Sequence, residues 1–339
     1  MTPLVTVLIP THDHDRLLPY AIASAQRQSV SEIEIFVVGD GASPVAREAA
    51  EAIARSDPRV RYFDFPKGER HGERNRHIAL QEARGRFVAY LGDDDLWLPD
   101  HLDNLIGGME EADFAHTLHT AVRPDGSFYT IVADIAERRF TDMMLDTKLN
   151  YFGPTVVGHR LSAYRRLPEG WRPAPTDIWT DLHMWRQFLV QPWIKARSIA
   201  VCDTLHFPSS IRGDMAEDER EREMDTAARR LAAPDGEAWY RREATAGLAR
   251  ATLEIDATRA GLAAHVSNLE SELSAAAANA AAAAEASRIA KEKDEARARK
   301  WKTRAKANRR ETALSRMFIR ARRRHRNRGH SAGRRKAVQ

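Results

Sequence analysis

The chain has 339 residues, of which 43% are hydrophobic and 30% are charged, and its formal net charge is +5. This length allows one large domain with an appendage, or two domains. A single cysteine, Cys202, excludes an intrachain disulfide and suits a reducing compartment, and no apolar stretch approaches the ~18 residues of a membrane span.

Apolar segments and helical patterns alternate along the first hundred residues. The sequence predicts, in order, strand 4–10, helix 15–28, strand 33–38, helix 44–56, strand 60–65, helix 73–84 and strand 87–91. This alternation is typical of a mostly parallel sheet with helices on both faces. The first strand has no basic leading segment, so we expect no signal peptide, and no Gly-rich dinucleotide motif follows it.

Polar side chains follow three of these strands, at the edge where parallel sheets bind their ligands. They are Thr11, His12 and Asp13 after the first strand, Asp40 after the second, and Asp93, Asp94 and Asp95 after the fourth. Three adjacent carboxylates repel one another, whereas Mg²⁺ and Mn²⁺ prefer such oxygen ligands. The alternative is a polar loop whose charges favour the start of the helix that Pro99 begins.

Beyond residue 113 the pattern is less regular. The sequence predicts a hairpin tip at residues 124–126, a strand at 151–160, a helix at 180–189 and a strand at 194–202. The charged run at residues 217–223 indicates either a solvated helix face or a linker.

Four segments resemble the family 2 glycosyltransferases of GT-A fold, in the order and at the spacing of that family. They are residues 7–13 (VLIPTHD), 34–43 (EIFVVGDGAS), 72–79 (GERNRHIA) and 85–97 (GRFVAYLGDDDLW). The resemblance covers roughly residues 3–210 and implies the GT-A nucleotide-diphospho-sugar transferase fold. It also implies metal-dependent, inverting transfer of a sugar from a nucleotide-sugar donor to a hydroxyl acceptor.

The resemblance assigns the donor site residue by residue. It implies Asp94, Asp95 and His206 as ligands of Mn²⁺ or Mg²⁺, and the following residues as contacts of the donor nucleotide: Thr11, Asp13, Asp40, Arg74 and Asp93. Two glycines depart from the family pattern. Gly39 and Gly92 stand where aspartates are usual, so Asp40 and Asp93 are expected to take over their roles.

An inverting transferase also needs a general base that removes the proton of the acceptor hydroxyl. Residues 175–186 (PTDIWTDLHMWR) resemble the start of the helix that carries this base in the family, with Thr180 as the expected N-cap. We therefore expect Asp181 to be the base, with Asp177 as the alternative. A purely structural acid in the first helical turn remains a third interpretation of Asp181. Arg212, after the last predicted strand, is a candidate contact of the diphosphate.

The last third of the chain has a different composition. Residues such as Leu262, Val266, Leu269 and Leu273 follow the a/d spacing of a coiled coil, or else lie on a single exposed helix. Residues 288–339 carry 21 Lys and Arg against 4 Asp and Glu, so the high isoelectric point belongs to this tail. We expect part of the tail to lack structure.

These patterns predict four regions. They are a GT-A domain at residues 1–215, able to fold as a monomer, a charged helical linker at 216–245, a coiled coil at 246–300 and a basic tail at 301–339. We expect self-association through the coiled coil. Apolar residues among the tail arginines favour an anionic membrane surface over nucleic acid as a partner.

The sequence thus predicts a cytoplasmic enzyme, peripheral at the inner face of the membrane. It would act in cell-envelope or surface glycan synthesis, on a glycan or lipid-linked acceptor. The alternative is a catalytically inactive GT-A-like scaffold that oligomerises through its coiled coil.

Overall fold

The computed structural model describes residues 2–331, with side chains through Arg322. The chain is divided into two compact units, of which the first ends at Asp256 and the second begins at Ala257. The expectation for residues 332–339 of the tail lies outside the described residues. No helix in the part of the chain that the structure describes has the length and apolar character needed to cross a bilayer.

A seven-stranded sheet forms the centre of the first unit. The strands of this unit are β1 (Val5–Thr11), β2 (Ile33–Asp40), β3 (Val60–Phe65), β4 (Phe87–Tyr90), β5 (Leu96–Trp97), β6 (Phe114–Thr117), β7 (His119–Val122), β8 (Phe128–Ile131), β9 (Val157–Arg160), β10 (Ala196–Ile199) and β11 (Thr204–Leu205). The order in the large sheet is β10-β6-β9-β4-β1-β2-β3, and β9 alone runs antiparallel to its neighbours.

Helices cover this sheet on both faces. The helices in the described part of the chain are α1 (Leu18–Gln26), α2 (Pro44–Ser56), α3 (Glu73–Gln81), α4 (His101–Met109), α5 (Arg138–Asp146), α6 (Leu161–Arg166), α7 (Thr180–Leu189), α8 (Glu217–Ala232) and α9 (Gly236–Ser331), the last of which continues into the second unit. The predicted fold class, a mostly parallel GT-A-type sheet followed by a long helical segment, is confirmed. The bounds predicted for α2 and α7 agree with the structure.

The central strands are buried because both of their faces pack against helices. Successive side chains point to opposite faces, so Val7 and Ile9 belong to one core and Leu8 to the other. In the parallel register Thr11 lies opposite Gly39, and Leu8 lies opposite Tyr90. The carboxyl ends of β1, β2 and β4 therefore meet at one edge of the sheet.

Two predicted strands are shorter in the structure. The strand predicted at 151–160 begins only at Val157, because Pro154 starts a 3-10 turn over Pro154–Val156 and lacks the N–H that a ladder needs. The strand predicted at 194–202 is limited to Ala196–Ile199 at the edge of the sheet. The predicted hairpin tip is confirmed, since β7 and β8 pair in antiparallel fashion around residues 124–126.

The charged run at 217–223 is the first part of α8, and this helix belongs to the first unit. Met224 in α8 and Tyr240 and Ala244 in α9 are buried in the same core as Phe128 and Leu205. The predicted boundary at residue 215 therefore falls inside the first unit. Apolar side chains that are spread thinly along two charged helices are a weak signal in a sequence, but they complete this core.

The second unit contains the rest of α9. The residues with heptad spacing are exposed, and Leu273 has 71% of its side-chain surface accessible. The predicted helix is confirmed, whereas its pairing with another helix stays a prediction. Within the tail, α9 continues to Ser331, and the expectation that part of the tail lacks structure stays a prediction. Leu314, Met317 and Phe318 lie exposed on this part of the helix.

The burial of Tyr240 generates a stability prediction. Its ring is fully buried and its hydroxyl donates a hydrogen bond to the carbonyl oxygen of Thr204 at 2.9 Å. We expect Tyr240→Ala to lower the free energy of unfolding by about 3–5 kcal/mol, because it removes a large core side chain and leaves a cavity. Denaturant unfolding followed by circular dichroism measures this change.

Leu253→Ala is the matched control, since Leu253 lies on the same helix with an exposed side chain. It should change the free energy of unfolding by less than about 0.5 kcal/mol. Equal, small effects of the two substitutions would show that α9 does not belong to the core.

Candidate functional site

A cavity of about 520 Å³ opens at the edge where β1, β2 and β4 end. Its lining combines three acids with several cationic or titratable side chains: Pro10, Thr11, His12, Asp13, His14, Val38, Asp40, Lys67, Arg70, His71, Gly72, Arg76 and Asp93. A volume of this size suits a small-molecule ligand. Four of the five residues predicted to contact a nucleotide, Thr11, Asp13, Asp40 and Asp93, line the cavity.

Asp40 organises the loop that forms one wall of the cavity. Its Oδ1 accepts hydrogen bonds from the backbone N–H of Gly68 at 2.6 Å and from Asn75 Nδ2 at 2.8 Å. Its Oδ2 accepts from Lys67 Nζ at 2.7 Å. Gly72 has a φ of 73°, and a Cβ there would lie 2.4 Å from Asp40 Cγ, so only glycine fits. Both carboxylate oxygens of Asp40 are thus engaged within the protein.

Arg74 and Arg76 occupy different surfaces of α3. Arg74 is exposed and does not line the cavity. Arg76 does line it, and its guanidinium lies 4.9 Å from the ring centre of Trp171. Burial lowers the pKa of Arg76, against the attraction of nearby Glu73 and Asp181. Arg76 was missed in the sequence, although its position one helical turn after Gly72 was a usable signal.

His14, Asp93 and Asp94 form a candidate cation site at the end of β4. One ligand atom of each residue lies within 4.8 Å of the others, and His14 Nδ1 is 2.9 Å from Asp93 Oδ1. Burial opposes a charge on His14, but the hydrogen bond to Asp93 and the charges of Asp93 and Asp94 raise its pKa to about 9. Two carboxylates and a neutral imidazole are a donor set that fits Mn²⁺, so an ion that uses His14 would have to displace its proton, and the carboxylates also suit Mg²⁺.

Asp95 and His206, two of the three predicted metal ligands, pair with each other beside this group. His206 Nδ1 lies 2.9 Å from Asp95 Oδ2, and the backbone N–H of Phe207 donates to Asp95 Oδ1 at 2.9 Å. The hydroxyl of Thr155 also donates to Asp95. Burial raises the pKa of Asp95, but His206 and these hydrogen bonds outweigh it, so the pKa is lowered. The ion pair with Asp95 raises the pKa of His206, despite its burial.

Gly92 leaves room for this arrangement. A Cβ at Gly92 would lie 2.7 Å from Asp95 Oδ2, so an aspartate there would displace the Asp95 carboxylate. Asp93 instead turns its carboxylate toward the cavity. At the second departure, Gly39, a Cβ would lie 2.5 Å from the hydroxyl oxygen of Tyr62, so this tyrosine fills the space of a side chain.

Asp94 holds two contacts that the sequence did not indicate. Its Oδ2 accepts hydrogen bonds from Ser209 Oγ at 2.7 Å and from Arg220 Nη2 at 2.8 Å. Burial and the charges of Asp95 and Asp93 raise its pKa. Arg220 belongs to α8, the segment read as a linker in the sequence. Arg220 and Asp94 are 126 residues apart in the sequence, so the local spacing of residues gives no sign of their contact.

Asp181 lies in the first turn of α7. Asn150 Nδ2 donates to its Oδ2 at 2.8 Å, and the backbone N–H of Leu182 donates to its Oδ1 at 3.0 Å. Burial raises the pKa of Asp181, which makes its carboxylate a stronger proton acceptor. Thr180 was expected to be the N-cap, but Trp179 occupies that position, because the Thr180 hydroxyl instead donates to buried Glu73 at 2.8 Å.

Asp181 borders the same region as the acidic cluster. A Cβ built on Gly153 would lie 3.9 Å from both Asp181 Oδ2 and His119 Cε1, and the rings of His119 and His206 are 4.6 Å apart. The alternative base, Asp177, is exposed and pairs with Lys148 at 2.9 Å. The Asp181 carboxylate is thus buried near His119, whereas Asp177 is exposed and held by Lys148.

Arg212 does not reach the cavity. It is buried against α8, where its Nε donates to Glu223 Oε2 at 2.7 Å and its Nη2 to the carbonyl oxygen of Val122 at 3.0 Å. The site as a whole therefore combines a candidate cation site, cationic side chains suited to phosphate and a buried carboxylate that can accept a proton.

Comparison with known sequences gives a consistent picture. A sequence model of the family described as "Glycosyl transferase family 2" matches residues 6–167. A GalNAc(5)-diNAcBac-PP-undecaprenol beta-1,3-glucosyltransferase of Campylobacter jejuni is 32% identical over 114 residues, which are 34% of this chain and 37% of that protein. The succinoglycan biosynthesis protein ExoW of Rhizobium meliloti is 32% identical over 111 residues, or 32% and 35% of the two chains. The matches span about a third of these relatives.

Solved structures with similar chains include S. aureus TarS 1-349, with a TM-score of 0.49 and 15% identity over 68% of this chain and 66% of that chain. The mannosyltransferase PcManGT from Pyrobaculum calidifontis, solved with GDP-Man and Mn²⁺, has a TM-score of 0.43 and 19% identity over 78% and 81% of the two chains.

The candidate cation site predicts a change in metal affinity. We expect Asp93→Asn to weaken Mn²⁺ binding at least about tenfold, because it removes a charged ligand from a group of three. Asp125→Asn, at the hairpin tip, is the control and should bind Mn²⁺ like the unchanged protein. Isothermal titration calorimetry measures both affinities. If the two variants bind Mn²⁺ equally well, the site lies elsewhere.

Proposed function

We propose, on the premise that this chain belongs to glycosyl transferase family 2, that it transfers a sugar from a nucleotide-sugar donor to a hydroxyl acceptor. The observation that supports this best is the cluster of His14, Asp93 and Asp94 beside a cavity with Lys67 and Arg76 in its wall. Acids that hold a cation, next to side chains that attract phosphate, are the pairing that a nucleotide diphosphate requires.

Different residues of the cavity would bind different parts of the donor. Thr11 Oγ1 is buried without a hydrogen-bond partner among the described residues, so it is available to a nucleoside. Lys67 and Arg76 would contact the phosphates. His14, Asp93 and Asp94 would hold Mn²⁺ or Mg²⁺, and such an ion supplies charge neutralisation of the leaving diphosphate.

Asp181 would act on the acceptor. Its carboxylate takes the proton of the attacking hydroxyl, and Asn150 orients it through the hydrogen bond to Oδ2. Attack from the side opposite the leaving diphosphate inverts the configuration at the anomeric carbon. The charge of Arg76 interacts with Asp181 and with Asp40, so this arginine links the donor cavity to the acceptor side.

We expect Asp181→Asn to lower kcat by about 10²–10⁴-fold, because general-base catalysis contributes that much, and to leave the Kd of the donor unchanged. Asp177→Asn, in the same segment, is the control and should retain kcat. Because burial raises the pKa of Asp181, kcat of the unchanged protein should fall on acidification through a pKa above the usual value of an aspartate. Transfer assays across pH measure kcat and its pH dependence, and calorimetry with the donor measures its Kd.

The control could instead show the large loss while Asp181→Asn remains active. That outcome would assign the base to Asp177.

The pathway is proposed from the relatives. One is named for transfer of a glucosyl group to an undecaprenol-linked glycan, and another for succinoglycan biosynthesis. We infer that this chain acts in synthesis of cell-envelope or surface glycan, on a glycan or lipid-linked acceptor.

An inactive scaffold is the second candidate, motivated by Gly39 and Gly92. The carboxylates that would bind a cation and accept a proton argue against it, since Asp93 and Asp181 are both in place. Metal-dependent hydrolysis of candidate nucleotide sugars separates the two functions, because a scaffold would not release free sugar.

We propose that the second unit pairs with a second copy of the chain. Leu262, Val266, Leu269 and Leu273 are exposed along α9 at coiled-coil spacing. Light scattering of the full-length protein at tens of micromolar should give at least twice the monomer mass. Val266→Glu together with Leu269→Glu should restore the monomer, and a monomeric unchanged protein would contradict the proposal.

We further propose that the basic end of the chain binds an anionic membrane surface. Leu314, Met317, Phe318 and Ile319 are exposed among arginines, and each basic residue near such a surface contributes about 1 kcal/mol. Co-sedimentation with phosphatidylglycerol vesicles should retain the full-length protein and lose a protein shortened to end at Ala290. Equal binding of both proteins would contradict this, and a preference for RNA or DNA at ~150 mM salt would favour nucleic acid.

A further inference from the structure

Helix α8 brings one arginine into the acidic cluster. Arg220 Nη2 donates a hydrogen bond to Asp94 Oδ2 at 2.8 Å and lies 3.2 Å from Ser209 Oγ. Its Nη1 lies 3.0 Å from His14 Nε2. The guanidinium therefore contacts two of the three members of the candidate cation site, and only 14% of its side chain is exposed.

The position of Arg220 is fixed by the packing of α8. Met224 of the same helix is buried in the core, and Glu223 accepts hydrogen bonds from Arg212 at 2.7 and 2.5 Å. On the other side, the Tyr20 hydroxyl donates to Asp225 at 3.3 Å. Three anchors within one helical turn hold the helix, so Arg220 is a built part of the site rather than a loose surface side chain.

A guanidinium and a divalent cation at this site would compete for the same carboxylate. Asp94 Oδ2 is bonded to Arg220, and Asp94 supplies a ligand atom to the cation group. The guanidinium cannot give up its charge, because an arginine stays protonated in proteins. A cation that binds Asp94 must therefore displace Arg220 from this carboxylate, or share the carboxylate with it against charge repulsion.

We propose that Arg220 exchanges partners during donor binding: it pairs with Asp94 until a divalent cation takes this carboxylate, and it then binds the diphosphate of the donor. This rests on the proposed function. A planar guanidinium matches two phosphate oxygens at once, and the diphosphate bound by the same cation would lie within reach of the displaced side chain. Arg220 is thus a donor-binding residue supplied from outside the sheet.

The exchange has two opposite consequences. Arg220 weakens binding of the cation alone, because it competes for Asp94 and adds a positive charge. It strengthens binding of a nucleotide diphosphate once the cation is present. A strut that only holds α8 against the sheet would produce the first effect at most, and not the second.

Calorimetry on the full-length protein tests both effects with Mn²⁺ alone, and with UDP, GDP and dTDP at saturating Mn²⁺. We expect Arg220→Gln to bind Mn²⁺ about tenfold more tightly and to bind whichever diphosphate the unchanged protein prefers about tenfold more weakly, as for loss of one charge-assisted hydrogen bond. Arg220→Lys keeps the charge without the planar fork and should fall between the two proteins.

Arg222→Gln is the matched control, since Arg222 lies on the same helix, is exposed and pairs with Asp218 at 2.9 Å. It should match the unchanged protein in both titrations. Circular dichroism during thermal unfolding shows whether each variant remains folded, and Arg220→Lys carries the test if Arg220→Gln does not fold.

Unchanged Mn²⁺ affinity in the Arg220 variants would overturn the competition, and unchanged diphosphate affinity would overturn the partner exchange. If the unchanged protein binds none of these three diphosphates with Mn²⁺, the proposed function fails as well. The Mn²⁺ titration alone still decides whether Arg220 competes with the cation.

Discussion

Repulsion among the three adjacent carboxylates at the end of β4 is the constraint on which the site depends. A different partner offsets this repulsion at each carboxylate. Asp93 contacts His14, Asp94 contacts Arg220, and the remaining acid, Asp95, is bonded to His206, Thr155 and the backbone N–H of Phe207. These partners come from widely separated parts of the chain, so the whole first unit must fold before the acids can lie side by side.

This division of partners gives the three acids different properties. Asp95 is held inward, with its pKa lowered by His206 and by hydrogen bonds that outweigh burial. Asp93 lines the cavity. Asp94, the middle acid in the sequence, has its pKa raised by burial and by the charges of the other two acids. A cation near Asp93 and Asp94 would relieve the repulsion that the protein groups only partly offset. The repulsion among the three acids therefore affects both the stability of this edge of the sheet and the cation binding that we propose.

Much of the fold could be predicted because buried strands of a parallel sheet leave continuous apolar runs. The strands β1 to β4 and the helix α2 follow from such local patterns and from Pro and Gly at their ends. The acids at the strand ends were visible for the same reason. The sequence did not show that the first unit extends to Asp256, because the apolar residues of α8 are few and its charged residues dominate the local pattern.

The partners of the acids could not be predicted from local spacing. Arg220 and Asp94 are 126 residues apart in the sequence, and no periodicity connects them. His14 lies one residue beyond the segment that resembles the family. Arg76 lines the cavity and Arg74 does not, and the sequence alone did not show which side of α3 faces the cavity. These contacts arise from the tertiary structure, which the pattern of a single sequence does not encode in readable form.

Binding of nucleotide diphosphates with and without a divalent cation tests the central claim most directly. A thermal-shift screen of UDP, GDP, dTDP and CMP, each with Mn²⁺ or with EDTA, would identify the base and the metal requirement together. The account predicts that one diphosphate stabilises the protein in Mn²⁺ and that the shift disappears in EDTA. Equal stabilisation in Mn²⁺ and EDTA, or none by any nucleotide, would contradict it.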